Sequence, residues 1–302
     1  MTPSEQISKT RAWVLASRPK TLPAAVSPVL VGTAAAYTDG GFRALPALAA
    51  FAAALLLQIG VNLANDYFDF KKGIDTSERL GPVRVTQSGL IAPGTVLAAM
   101  IGVLLLAALI GVYLIFVGGW PILAVGVASL IAALAYSGGP FPLASHGLGD
   151  LFVFIFFGVV AVCGTYYVQT LQLTRETAIL AAVVGFLITA IIVVNNLRDI
   201  QTDAKVGKKT LAVILGERGT RVEFLLLLVG AYTIPIILWV IGLVSHWLLL
   251  PILSTPLAFS LVRYLDDHTG ADLNWALAGT ARLSLIFSIL LSIGLFFSTG
   301  RP

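Results

Sequence analysis

Residues 177–197 read TAILAAVVGFLITAIIVVNNL, and residues 198–209 continue RDIQTDAKVGKK. The first stretch holds no charged side chain. About 20 mostly apolar residues cover the hydrocarbon core of a bilayer as a helix, so this run reads as a membrane span. The continuation places Arg198, Asp199, Asp203, Lys205, Lys208 and Lys209 within twelve residues. A greasy rod therefore ends in a charged head, and this contrast organises the rest of the chain.

Working outward, comparable apolar runs occupy 21–38, 44–65, 94–117, 120–137, 150–170, 222–242, 247–264 and 274–298. The 302 residues are 58% hydrophobic and 11% charged, whereas soluble domains carry about 25% charged residues. A water-facing surface cannot be covered with so little charge. The expected fold is all-α: a polytopic membrane protein of about nine transmembrane helices, forming a single domain over 1–302. The lone Cys163 excludes an intrachain disulfide and reads as a small buried hydrophobe. The net charge of +4 lies between the spans, where topology accounts for it, and does not indicate nucleic acid. The amino terminus is polar and basic, without the apolar core of a signal peptide, and is expected to stay in the cytoplasm.

Alternating the spans puts 1–20, 66–93, 138–149, 198–221 and 265–273 on one face. With Arg263 at the edge of the last segment, that face carries fifteen of the nineteen Lys and Arg residues. Basic residues favour the cytoplasmic side, which predicts an N-in, C-out arrangement. The acidic residues gather on the same face, and the positive-inside rule does not explain them.

They form two clusters. Asn62, Asp66 and Asp69 recur at helical spacing in NLANDYFDFKKGID, residues 62–75. Asn195, Asp199 and Asp203 do so in NNLRDIQTDAK, residues 195–205. Side chains three and four apart share a helix face, so each set is one polar stripe at the inner end of a span. Each leads to Gly and paired Lys, a faint sign of duplication. Carboxylates held together repel unless a cation neutralises them. Hard oxygen ligands suit Mg²⁺, which takes one or two carboxylates plus water and phosphate oxygens. Two facing stripes with nearby Lys and Arg suit two Mg²⁺ ions around a diphosphate, promoting its departure.

NDYFDFKKGID and NNLRDIQTDAKVGKKT resemble the two aspartate-rich motifs of the UbiA superfamily of intramembrane prenyltransferases, and most closely its 1,4-dihydroxy-2-naphthoate branch. RPKTLP (18–23), RVTQSG (84–89), YSGGP (136–140) and GLGD (147–150) extend the resemblance over nearly the whole chain. Many superfamily members carry a third Asp where this chain has Gly73, with Asp75 two residues later; the Gly-Ile-Asp variant resembles the naphthoate branch.

The resemblance implies a nine-helix bundle around a central cavity, capped by the inner loops, in a bacterial-type plasma membrane with the site toward the cytoplasm. It implies Mg²⁺ (Mn²⁺ as substitute), polyprenyl diphosphate with its tail in a lipid-open groove, and a naphthoate acceptor that loses its carboxylate. Within that frame Asn62, Asp66, Asp69, Asp199 and Asp203 are the metal set, the four aspartates being catalytic, and Asn195 assists. Lys72, Arg84, Lys205 and Lys208 are candidates for the diphosphate, and Tyr136 and Asp150 for the acceptor pocket. Arg282, a third of the way into the ninth span, either snorkels toward the inner face or faces the cavity and pairs with a carboxylate of the chain or of the acceptor. Alternatives are another acceptor (4-hydroxybenzoate, homogentisate, a chlorin or haem) and, in a different class, a cation-coupled transporter. The stripes lie at helix ends rather than at a midplane break, which disfavours transport.

Overall fold

The structure is a computed structural model that describes residues 7–74 and 80–298. Asp75 and Arg79 lie outside the described residues. The amino-terminal helix α1 (Lys9–Ser17) is capped by Ser8, whose hydroxyl accepts from the Arg11 amide at 3.3 Å. Then follow α2 (Pro23–Thr38), α3 (Ala44–Lys71), α4 (Pro93–Gly118), α5 (Trp120–Ala135) and α6 (Gly149–Val153). A π-helical stretch, Phe154–Val160, joins α6 to α7 (Ala161–Thr170). The chain continues through α8 (Arg175–Lys205), α9 (Leu211–Val240), a 3₁₀ stretch (His246–Ser254), α10 (Thr255–Asp267) and α11 (Leu273–Phe297).

Each expected span falls on one of these helical segments. Seven are long and apolar enough to cross a membrane, while Trp120–Ala135 is apolar but shorter. α2, also 16 residues long, is the other short one. Helix boundaries differ most around 198–221, where the end of the apolar run predicts a loop. α8 runs on to Lys205, and α9 starts at Leu211, where Thr210 accepts from the Val213 amide. Arg, Lys, Gln and Glu are good helix formers, so polarity ends the apolar run without ending the helix. Gly216, at φ 71°, breaks α9 near its start, a conformation that glycine adopts without a Cβ penalty.

Neighbouring helices pack from α2 to α5, α5 meets α7, packing continues from α7 to α11, and α11 closes back onto α2. α8 is the central post: Val183, Val184, Leu187, Ala190 and Val194 are fully buried. A Cβ on Gly158 would come 2.5 Å from the Gly185 Cα, so the π-helical stretch meets α8 backbone to backbone, as small residues permit in membrane bundles. Outward faces are apolar, with Phe116 86% and Trp120 78% exposed, the inverse of a soluble protein and suited to lipid.

The connections sort to two ends. At one end Lys72 donates to the Ser137 and Gly139 carbonyls at 2.8 and 3.2 Å. There too Arg198 meets Asn274, which donates to the Leu80 carbonyl at 2.9 Å, and His146 bridges to Lys209. At the other end Tyr166 donates to Asp39 at 2.6 Å and Thr38 to the Leu295 carbonyl at 3.1 Å. Both acidic stripes lie at the first end.

Candidate active site

A cavity of about 520 Å³ opens among α2 to α8. Its body is apolar, walled by small residues of α3 and α4 (Ala50, Ala53, Ala107, Gly111) and by α5 (Ile122, Val125, Leu130). Its polar end is lined by Asn62, Asn65 and Asp69 from α3, and by Asn195, Asn196 and Asp199 from α8. Arg18, Arg84, Tyr136 and Lys208 complete that end. The two stripes, more than 100 residues apart in sequence, thus face one space.

Within each stripe the carboxylates divide. Asp69 is ion-paired with Arg84 at 3.1 Å, both largely buried. Asp66, 1% exposed, accepts from the Val85 and Thr86 amides at 3.1 and 3.0 Å, and it does not line the cavity. It fixes the turn that presents Arg84. On α8, Asp199 faces the cavity and accepts from the Arg198 Nε at 2.8 Å. Asp203 is not among the lining residues but pairs at 3.3 Å with Lys208, which is. One carboxylate per stripe lines the cavity, rather than the two the spacing alone suggests, because each four-residue step also turns the side chain about 40° around the helix.

Four other expectations shift. Lys72 holds the 137–139 turn instead of lining the cavity. Lys205 is exposed on the cap and outside the lining. Arg282 is exposed on the outer face of α11 and is not in the cavity. Asp150 is buried behind Tyr136, with its Oδ2 making no hydrogen bond among the described residues. Gly149 is what allows that approach, since a Cβ there would come 3.3 Å from the Tyr136 hydroxyl. Tyr136 lines the cavity wall.

Several residues were not singled out from sequence. Arg198 had been counted only as a topogenic charge, yet its side chain is fully buried. It binds Asp199, the Asn195 Oδ1 at 2.9 Å and the Asn274 Oδ1 at 3.0 Å. Arg18 adopts a left-handed backbone (φ 51°) and donates to the Asn62 carbonyl at 3.5 Å. A residue before proline is ordinarily extended, so this conformation stores strain at the cavity mouth. The Asn62 Nδ2 donates to the Ser17 carbonyl at 3.0 Å, locking the α1–α2 junction to the first stripe. Asn65, three residues from Asn62, shares its helix face and is legible from the same spacing.

The donors suit a hard cation. The Asn65 Oδ1 is buried at the cavity wall without a hydrogen-bond partner among the described residues. Asp69, Asp199 and Asn195 add further hard oxygens. Among the described residues no three His, Cys, Asp or Glu side chains converge on one point. Mg²⁺ retains several waters and shares substrate phosphate oxygens rather than filling an all-protein cage, so one carboxylate and amide oxygens per side fit it.

A helical membrane bundle with an apolar cavity and a polar, oxygen-rich mouth defines the class of integral membrane proteins that hold amphiphilic molecules. Residues 25–297 match the UbiA prenyltransferase family, and the chain belongs to that family: it is a prenyltransferase. It is 38% identical to 1,4-dihydroxy-2-naphthoate octaprenyltransferase of Escherichia coli strain K12, covering 97% of this chain and 98% of that one. To the protein of the same name in Mycobacterium tuberculosis it is 42% identical, covering 90% and 96%. A UbiA homolog from Archaeoglobus fulgidus, solved bound to DMAPP and Mg²⁺, shares the fold with a TM-score of 0.66 at 13% identity, over 94% and 99% of the two chains.

Proposed function

We propose that this enzyme transfers a polyprenyl group from polyprenyl diphosphate to 1,4-dihydroxy-2-naphthoate, with loss of the acceptor's carboxylate as carbon dioxide. The supporting observation is the two-ended cavity: apolar walls along α3, α4 and α5, and Asp69, Asp199, Asn65, Asn195, Arg84 and Lys208 gathered at one mouth. A prenyl chain with an anionic head has the same polarity pattern. The full-length identity to the two naphthoate octaprenyltransferases favours that acceptor.

Asp69, Asn62 and Asn65 on one side, and Asp199 and Asn195 on the other, would hold Mg²⁺. When bound, Mg²⁺ neutralises charge on the diphosphate and so makes it a better leaving group. Arg84, Arg18 and Lys208 share that charge. Asp66 and Asp203 act through them, one fixing the turn that carries Arg84 and the other fixing Lys208. Tyr136 donates a hydrogen bond to an acceptor oxygen. The apolar walls exclude water, which would otherwise capture the allylic cation released when the C–O bond to diphosphate breaks. The ring carbon bearing the carboxylate attacks that cation. Attack breaks aromaticity, and expelling carbon dioxide restores it without a base at that carbon.

The test uses acceptor labelled in its carboxyl carbon. Labelled carbon dioxide and prenylated product should appear in equal amounts. A prenylated product that keeps the label would overturn the loss of carbon dioxide, and transfer to 4-hydroxybenzoate but not to the naphthoate would assign the enzyme another acceptor.

The basic residues clustered at the cavity mouth further support a cytoplasmic mouth with N-in, C-out topology. Single cysteines at Val206, on the cap, and at Trp120, the first residue of α5, check this in a Cys163→Ala background. An impermeant maleimide should label Val206→Cys only from the cytoplasmic side and Trp120→Cys only from the other. Labelling of both from one side would overturn the arrangement.

A further inference from the structure

α11 carries an exposed stripe at helical spacing, formed by Trp275, Arg282, Ile289 and Ile293. Arg282 stands nine residues past Leu273, about 14 Å along the helix. It is outside the cavity and makes no hydrogen bond or ion pair among the described residues. Trp275 marks where the polar end begins. Its neighbour Asn274 bonds Arg198, and its ring packs on Tyr264 at 4.5 Å, which in turn stacks on His268 at 3.8 Å. Aromatic clusters of this kind sit at the headgroup level of a bilayer.

Arg282 therefore lies seven residues, about 10 Å, deeper than the headgroup level, on the same lipid-facing stripe. A guanidinium in that position is costly unless an anion meets it. Snorkelling shortens the distance to the interface, and the stripe leads directly along the helix to Trp275. No carboxylate of the described residues supplies the anion. Guanidinium matches phosphate oxygens in a two-pronged geometry and is less tightly hydrated than an ammonium.

We propose that the α10–α11 face is a binding site for an anionic phospholipid, whose phosphodiester at the Trp275 level is met by the Arg282 guanidinium reaching outward along the stripe, while its acyl chains lie along Ile289 and Ile293. The site is separate from the catalytic cavity, on the outside of the bundle.

The full-length protein in neutral detergent is supplied with phosphatidylglycerol or with diacylglycerol of the same acyl chains, and retained lipid is counted by native mass spectrometry. The wild type should keep a phosphatidylglycerol through delipidation and no diacylglycerol. Arg282→Leu should lower that retention at least tenfold, and Arg282→Lys should lower it less. Unchanged thermal unfolding in lipid-free detergent verifies that the variants are folded, with Arg282→Gln as a second choice if Leu perturbs assembly. Equal retention by Arg282→Leu and the wild type overturns the proposal. So does a loss of dimer in Arg282→Leu with retention unchanged, which would assign this face to a second copy of the chain.

Discussion

Asp69→Asn and Asp199→Asn should each lower prenyl transfer by about a thousandfold while leaving the helical bundle intact. Each removes the single carboxylate that its helix presents to the cavity. Withdrawing one group that stabilises charge developing on a reacting oxygen costs about 10²–10³-fold, and the loss of a metal carboxylate is expected at the upper end. Chelation should abolish turnover in the wild type, and added Mg²⁺ should restore it. The measurement is transfer from labelled polyprenyl diphosphate in isolated membranes. Activity within threefold of the wild type in either variant would refute the roles assigned here. Asp66→Asn tests the division within the stripe: it should disturb the 84–86 turn, and its loss should be partly mimicked by Arg84→Met.

Arg198→Met should destabilise the protein by about 3–5 kcal/mol, the cost of leaving a buried partner charge uncompensated. Its guanidinium is fully buried and bonds side chains on α8 and α11 at once, so its loss also loosens the junction that brings the 80–92 segment over the cavity. Removing both charges of a buried pair is often close to neutral. Arg198→Met/Asp199→Leu should therefore recover most of the stability yet remain inactive. Unfolding followed by tryptophan fluorescence in detergent gives the first quantity, and the transfer assay the second. A double variant no more stable than Arg198→Met would mean that the ion pair does not carry the junction.

Much of this was legible in the sequence because the bilayer is a demanding solvent. A helix spanning it must be apolar for about 20 residues, so runs such as 177–197 declare themselves, and charge is left for the ends. Asn62, Asp69, Asn195 and Asp199 could be picked from helical spacing alone, since a 3.6-residue repeat sets which side chains share a face. Spacing does not say where a face points. Asp66 and Asp203 lie on the same stripes as Asp69 and Asp199, yet the cap takes them for the Val85 and Thr86 amides and for Lys208. Arg198 and Arg282 are the reverse case: both read as topogenic or ambiguous cations, and only the packing of α8 against α11 buries one while leaving the other facing lipid. Composition and periodicity thus determined the membrane bundle, the end at which chemistry gathers and the residue types available. Tertiary structure decided which of those charges meet across the cavity, because contacts between residues more than 100 positions apart depend on how helices rotate and cross. No local sequence pattern encodes that rotation.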